Sequence, residues 1–273
     1  MTSSPAVNYY SDNRVLPSWG TTPEQQSNPG LWWALIILML VCLSAGGWYY
    51  LKKFKPMQNA KDSTVLIMVD ADGDRKFESS GTGVLINSKG YILTARHVVT
   101  KENGDPIPGK IRVDFRSGTA EVQHFTDVTV EKLAERGSQK QDFVNGDWAL
   151  LKVVSRTALP SVPLSTRRDY QELEVVQAFG FPHADVTATN EFGAQVKVVE
   201  GKINRVDRNA QGGVVRLTHN ASTGPGMSGG PIMQNGELVA ITVAGLKNAA
   251  ANENYSLPTH LLRDTLKNYL ESH

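Results

Sequence analysis

Two kinds of hydrophobic patterning divide the chain. Residues 31–51 read LWWALIILMLVCLSAGGWYYL, and no charge occurs between Glu24 and Lys52. At ~1.5 Å per residue such a stretch covers roughly the ~30 Å hydrocarbon core of a bilayer. Trp32 and Trp33 mark one end and Trp48, Tyr49 and Tyr50 the other, as suits the two membrane interfaces. The pattern predicts a transmembrane helix over 31–51. A buried core helix and a cleavable signal peptide are the competing readings, the latter through Leu43-Ser44-Ala45-Gly46. Against a signal peptide, thirty weakly charged residues come first, where a short positive start is wanted. Cys42 follows the bulky Leu40 and Val41, so it reads as an apolar residue of the span and not as a lipid-bearing cysteine.

After position 62 the apolar runs become short and are bounded by turn residues. They fall at Val65–Val69, Gly83–Ile86, Tyr91–Thr94, Ile111–Phe115, Trp148–Val153, Glu174–Phe179, Val196–Val199, Val214–Leu217, Pro231–Met233 and Leu238–Val243. Asn87-Ser88-Lys89-Gly90 and Gln234-Asn235-Gly236 read as hairpin turns. Many short strands at regular spacing predict a mostly β barrel or sandwich architecture. A helical period appears only over Thr259–Leu270, where Leu262, Leu266, Tyr269 and Leu270 form one apolar face. No repeat of 20–50 residues is evident.

Composition sharpens this division. Residues 1–30 are rich in Ser, Pro, Asn and Gln with only Asp12, Arg14 and Glu24 charged, which reads as a disordered tail. Residues 52–61 carry Lys52, Lys53, Lys55 and Lys61, a basic linker. The whole chain has 28 basic and 27 acidic residues. From position 62 onward, 23 basic residues face 25 acidic ones, a net of −2. That balance offers no general attraction for nucleic acid or anionic lipid, so no nucleic-acid partner is expected. A single cysteine excludes an internal disulfide framework and a Cys-rich zinc module. The lysines after the span favour a cytosolic C-terminal domain by the positive-inside rule.

Three segments carry chemistry. His97 closes an apolar run in Thr94-Ala95-Arg96-His97-Val98-Val99. Asp147 opens one in Gly146-Asp147-Trp148-Ala149-Leu150-Leu151. Ser228 lies in Gly224-Pro225-Gly226-Met227-Ser228-Gly229-Gly230-Pro231, where glycines on both sides permit a tight turn with amides aimed at one point. A packed histidine, a turn aspartate and a Gly-rich turn are the bland readings of each taken alone. Together they occur in the order His, Asp, Ser.

These residues resemble the chymotrypsin-fold serine proteases, closest to the bacterial trypsin-like and HtrA-type branch. The resemblance covers about residues 62–270. It rests on SGTGVLINSKGYILTARHVV at 80–99, DWALLKV at 147–153, AFGFP at 178–182, GMSGGPI at 226–232, NGELVAI at 235–241 and Asn254–Pro258 before a C-terminal helix. It implies two six-stranded β-barrels, about 62–155 and 170–258, a helix over about 259–271, and an active site between the barrels. It implies a serine endopeptidase acting on protein or peptide substrates without a cofactor or metal, with Ser228 as nucleophile, His97 as base and Asp147 as its partner. Backbone amides of Gly226 and Ser228 would form the oxyanion hole. The primary pocket would be lined near Ser222–Thr223 and Thr242, Val243, Ala244 and Gly245. None of these is acidic, so no preference for Arg or Lys is expected, and Val243 with Ala244 suggest a modest apolar residue.

The sequence departs from the family in two places. Met227 stands where digestive members carry the Asp that pairs with a new N-terminus, so activation by that ion pair is not expected. No PDZ segment is expected in these 273 residues. The resembling bacterial proteins mostly act outside the cytoplasm, which conflicts with the lysine rule above. Asp142 rivals Asp147, and His124, His183, His219 and His260 rival His97, all without the matching context. Gly226–Gly230 also fits the G-x-S-x-G elbow of α/β-hydrolases, which would need Asp264 and His273 downstream. A catalytically silent protease fold tethered to the membrane as a binding module is the other alternative. Asn220-Ala221-Ser222 and Asn254-Tyr255-Ser256 match glycosylation acceptors by chance.

Overall fold

A computed structural model describes residues 29–272 apart from 75, 102, 108, 136–145, 183–188, 191–192 and 246–252. The chain forms two units, Met1–Gly47 and Trp48–His273. Helix α1 spans Pro29–Tyr49, and its apolar side chains from Trp33 to Leu43 are largely exposed. Among the described residues no helix is long and apolar enough to cross a membrane. The membrane span expected over 31–51 is thus not found among the described residues.

A π-helical turn, Tyr50–Phe54, leads into α2, Lys55–Ser63. Pro56 sits in the first turn of α2, where its missing N–H is harmless. The basic linker is therefore helical, where the sequence reading assigned no element. Asn59 Nδ2 donates to the Ser161 carbonyl at 2.7 Å, and Ala60 is buried.

The rest is β. The strands are β1 (Thr64–Val69), β2 (Glu78–Leu85), β3 (Tyr91–Thr94), β4 (Ile111–Phe115), β5 (Gln123–Phe125), β6 (Val128–Leu133) and β7 (Ala149–Val153). Then come β8 (Val175–Gly180), the short pair β9 (Thr189–Asn190) and β10 (Gly193–Ala194), β11 (Lys197–Arg208), β12 (Val214–His219), β13 (Pro231–Gln234), β14 (Glu237–Gly245) and β15 (Asn254–Pro258). All described pairings are antiparallel within the two large sheets.

The C-terminal sheet closes as β11-β12-β15-β14-β13-β8, the six-stranded barrel expected. The N-terminal sheet differs: it has seven strands in the order β5-β4-β1-β2-β3-β7-β6 and is not closed by pairing among the described residues. The extra strand is β5, the three residues Gln123-His124-Phe125, which continue the ladder beyond β4. Its partly exposed side chains give no hydrophobic period to read. The core explains the rest. Val65, Ile67, Val84, Ile92, Leu93, Leu150 and Leu151 are buried in one cluster of the N-terminal sheet. Val176, Ala178, Ile203, Leu217, Ile232 and Ala240 fill the second barrel. Helix α3, Arg263–Ser272, follows a 3₁₀ turn at Thr259–Leu261. It returns to the first cluster through Leu262 and Leu266, and Tyr269 meets Tyr91 edge-on at 6.3 Å.

Candidate active site

Three loops meet where β3 ends, beside the middle of β2. The chain leaves β3 at Thr94 and makes one 3₁₀ turn, Arg96–Val98, that carries His97. Val98 is fully buried and Arg96 Nη2 donates to the Gly104 carbonyl at 2.7 Å, so the turn is clamped on both sides of His97. Asp147 precedes β7, which pairs directly with β3 through Thr94↔Ala149. This register brings the two residues together. The Asp147 carboxylate accepts twice from the same residue: from the His97 backbone N–H at Oδ1, 2.9 Å, and from the ring at Oδ2, where Nδ1 lies at 2.7 Å. The His97 side chain is 47% exposed and that of Asp147 15%. The ring therefore faces solvent with its Nε2 edge available, while the carboxylate is screened behind it.

Ser228 sits between β12 and β13 in a turn built from its glycines. Gly224-Pro225-Gly226-Met227 closes with Met227 N–H donating to the Gly224 carbonyl at 3.0 Å. Pro at the second position and Gly226 at φ +90° at the third are the requirements of a type II turn. Gly229 then makes the close approach. A Cβ there would lie 2.1 Å from Thr94 Oγ1, 2.2 Å from the Thr82 carbonyl oxygen and 2.7 Å from the Ala95 nitrogen, at φ +81°. Only glycine lets the serine turn press against the backbone two residues before His97. From the other side, a Cβ on Gly81 would meet both Val98 Cγ2 at 2.6 Å and the Ser228 carbonyl oxygen at 2.9 Å. Ser228 and His97 are thus held to neighbouring positions through two separate backbone contacts. Among the described hydrogen bonds none joins Ser228 Oγ to His97, and such bonds commonly tighten only with substrate.

Thr82 organises this junction and is absent from the residues singled out in the sequence. Its N–H donates to the Ser228 carbonyl at 2.8 Å, and its hydroxyl donates to the Gly226 carbonyl at 2.7 Å. The same hydroxyl accepts from Phe181 N–H at 3.1 Å, and the Thr82 carbonyl accepts from Thr94 Oγ1 at 2.7 Å. The peptide after Gly226 is therefore fixed with its carbonyl toward Thr82. Among the described residues the amides of Gly226 and Ser228 have no acceptor, the property an oxyanion hole needs. The signal in the sequence is a hydroxyl between two glycines, Gly81-Thr82-Gly83, directly before the apolar run Val84-Leu85-Ile86.

Met227 is fully buried in the second-barrel core and touches the position of Gly180, where a Cβ would lie 3.0 Å from Met227 Cγ. The turn is anchored by apolar packing where the ion-paired members use a carboxylate.

The rival residues are placed elsewhere. His124 bonds Asp114 Oδ1 at 2.7 Å on the β4–β5 edge. His260 Nε2 lies 3.1 Å from the Val214 carbonyl oxygen. Asp142, His183 and His273 lie outside the described residues. Asp264 is on α3, 4.0 Å from Arg168. Ser228 follows an antiparallel barrel strand, so the strand–turn–helix elbow of the α/β-hydrolases is absent here. Asn254 is buried with its amide donating to the Ala221 carbonyl at 2.7 Å, which bars it as a glycosylation acceptor.

Of the pocket residues, Ser222 is exposed and Thr223 half-buried, with Thr223 Oγ1 donating to Asn254 Oδ1 at 2.5 Å. Thr242 is buried, and its carbonyl accepts from Gly229 N–H at 2.7 Å, which ties it to the serine turn. Val243 packs in the same cluster as Ile241 and Leu257, while Thr242 pairs with Ser256 on the other face of β14. The apolar preference read from Val243 thus rests on a side chain turned away from the barrel interior. The backbone of Ala244 pairs with Tyr255 and that of Gly245 with Asn254. Among the described residues no group of acids, histidines and cysteines is placed to hold a metal.

Burial pushes the His219 imidazole down to about 4 from 6.5. It is neutral when folded at pH 7, while the unfolded chain takes up a proton below about 6.5. Stability is therefore expected to be retained above 6.5 and to fall by about 3 kcal/mol as pH drops toward 4. Chemical denaturation at pH 7 and pH 4.5 measures this. His219→Gln should flatten the difference, and an unchanged pH dependence in that variant would rule out His219 as its source.

The likeness to known proteins agrees with the geometry. The sequence profile of the trypsin-like peptidase domain matches residues 81–241. Serine protease HTRA4 of Mus musculus is 26% identical over 200 residues, covering 71% of this chain and 35% of that protein. Serine endoprotease DegS of Haemophilus influenzae is 28% identical over 200 residues, covering 68% and 49%. The crystal structure of the serine endoprotease from Yersinia pestis aligns with a TM-score of 0.54 at 22% identity, covering 78% of this chain and 64% of that one. This chain spans about a third to a half of the length of these two sequence relatives. The profile takes in more than half of the chain, including His97, Asp147 and Ser228, and the chain belongs to the trypsin-like peptidase domain family.

Proposed function

We propose that this chain is a membrane-tethered serine endopeptidase that cleaves peptide bonds through Ser228, His97 and Asp147. The observation that carries this is the twofold bond of Asp147 to His97 beside a serine turn docked on the same β2–β3 junction.

Ser228 Oγ attacks the scissile carbonyl as His97 Nε2 takes its proton. The carbonyl π electrons move onto oxygen, and the amides of Gly226 and Ser228 stabilise the oxyanion. Asp147 keeps the Nδ1 proton in place and stabilises the imidazolium. His97 then returns its proton to the leaving amine, and an acyl-enzyme forms. Water, activated by the same imidazole, attacks the ester and releases Ser228. The HtrA relatives support proteins or peptides as substrates. The tether rests on the charge-free run at 31–51, its aromatic ends and the exposed apolar side chains of α1.

The test is fluorophosphonate labelling of the full chain expressed in membranes, with a Ser228→Ala control. The expected result is one labelled band that stays with the membranes after an alkaline carbonate wash, maps to Ser228 and disappears in the control. A folded native chain that takes no label would sink the enzyme reading and leave a protease-fold binding module. A label released by the wash would sink the tether alone.

A further inference from the structure

The interior of the second barrel is apolar except at one end, which adjoins the serine turn. The register places Thr242 opposite Ser256, Leu217 opposite Ser256, and His219 opposite both Asn254 and Ile203. Residues paired in this way share a face. Leu217 and Ile203 belong to the barrel core, so Thr242, Ser256, His219 and Asn254 also point inward. All four are at most 5% exposed. His219 Nε2 lies 3.0 Å from Ser256 Oγ, and Asn254 is held by Ala221 and Thr223. Two atoms of the layer, His219 Nδ1 and Thr242 Oγ1, are buried with no hydrogen-bond partner. Buried polar atoms are rarely left unpaired, and those that are call for a specific explanation. The Gly229 N–H bond to the Thr242 carbonyl sets this layer directly against the serine turn.

We propose that this polar layer is the floor of the primary specificity pocket and selects an uncharged carboxamide side chain, glutamine or asparagine, at the residue whose carbonyl Ser228 attacks. The inference rests on the endopeptidase reading above. The two unpartnered atoms supply complementary halves of the recognition. With Nε2–H donating to Ser256, Nδ1 accepts from the amide NH₂ of the substrate. The Thr242 hydroxyl donates to the amide oxygen. A lysine, arginine or glutamate would bury a charge, and the layer holds no ionised group to pair with it. A leucine would leave both atoms unpartnered. Entry runs past Ser222, which is exposed, and requires Thr223 to release Asn254.

Two measurements on the full chain in detergent micelles test this. In the first, a diverse peptide mixture is digested and cleavage sites are read by mass spectrometry, followed by kcat/KM on matched peptides. Cleavage after Gln or Asn should exceed cleavage after Leu or Val by about tenfold or more, because a site built to hydrogen-bond rejects the analogue that cannot. Thr242→Val removes only the hydroxyl and should collapse the ratio of Gln to Leu. His219→Leu should do the same, and Thr242→Val stands alone if that variant does not fold. In the second, peptides ending in Gln or Leu are bound to Ser228→Ala by fluorescence anisotropy, which needs no catalysis. Tighter binding of the Gln peptide without any cleavage by the native chain would uphold the pocket and overturn the enzyme reading. Cleavage after apolar residues, with a ratio that Thr242→Val leaves unchanged, would overturn the pocket and uphold the enzyme. Equal binding of both peptides without cleavage would overturn both.

Discussion

Ser228→Ala should lower kcat for peptide hydrolysis by about 10⁶-fold, and His97→Ala should do nearly the same. The double variant should be no slower than either single one. The geometry explains the lack of additivity. Ser228 is a poor nucleophile until a base takes its proton, and the His97 ring does nothing for the attack without a hydroxyl to deprotonate. Each residue thus removes one shared step, worth about 8 kcal/mol at 1.36 kcal/mol per tenfold. The turn itself does not depend on the Ser228 hydroxyl. It is held by Thr82, by the Gly229 contact and by buried Met227, so Ser228→Ala should remain folded. Steady-state kinetics on one good peptide substrate, in the single and double variants, decides the matter. Additive losses, approaching 10¹²-fold, would mean that the two residues act in separate steps and that they are not one unit.

The parts of the fold legible in the sequence are those where burial is one-sided or complete. Tyr91–Thr94 and Ile111–Phe115 coincide with β3 and β4, because each is a short, largely buried run bounded by turn residues. The turn Gln234-Asn235-Gly236 is read correctly for a local reason. Asn235 and Gly236 both take positive φ, as a two-residue hairpin turn demands. The long strand β11 reads only as Val196–Val199. Its remaining residues, from Glu200 to Arg208, are mostly exposed or half-buried and carry no clean period of two. Strands β5 and β6 escape for the same reason.

The site divides in the same way. His97, Asp147 and Ser228 are visible because each lies in a motif whose residue types are set by chemistry and backbone geometry. Thr82 is not visible as a site residue, because the partners that tie it to the serine turn and to Phe181 lie 99 to 146 positions away in sequence. The polar layer under the serine turn is hidden more deeply. His219, Thr242, Asn254 and Ser256 sit on three strands, and only the barrel register shows that they face one another. Met227 lies between these cases. Its identity in the motif excludes an ion pair, and the structure supplies what replaces it, a methionine sealed in the second core. The serine turn is thus held by this packing together with the Thr82 and Gly229 contacts.

Asp147→Asn should lower kcat by about 10⁴-fold, close to 5 kcal/mol, with the fold intact. The reason lies in the twofold contact of this carboxylate. Oδ1 accepts the His97 backbone N–H and Oδ2 faces ring Nδ1. A carboxylate satisfies both donors at once, whereas an asparagine has one acceptor oxygen and one NH₂ group. If its oxygen keeps the backbone bond, the NH₂ group points at Nδ1 and holds the proton on Nε2. His97 is then in the tautomer that cannot accept a proton from Ser228. If the oxygen turns to the ring instead, the NH₂ group meets the backbone N–H and the 3₁₀ turn loses its clamp. The backbone N–H can only donate, whereas ring Nδ1 can switch to accepting by a change of tautomer, so the wrong tautomer should prevail. This predicts a specific pattern: a large loss in kcat, little change in KM, and partial recovery at high pH as hydroxide replaces the base. Asp147→Ala removes both the acceptor and the misplaced donor, so it should also be slow but without enforcing the tautomer. Measuring both variants from pH 6 to 10 separates the cases. An Asp147→Asn enzyme within about tenfold of the native rate would show that the carboxylate only holds the turn and takes no part in setting the imidazole.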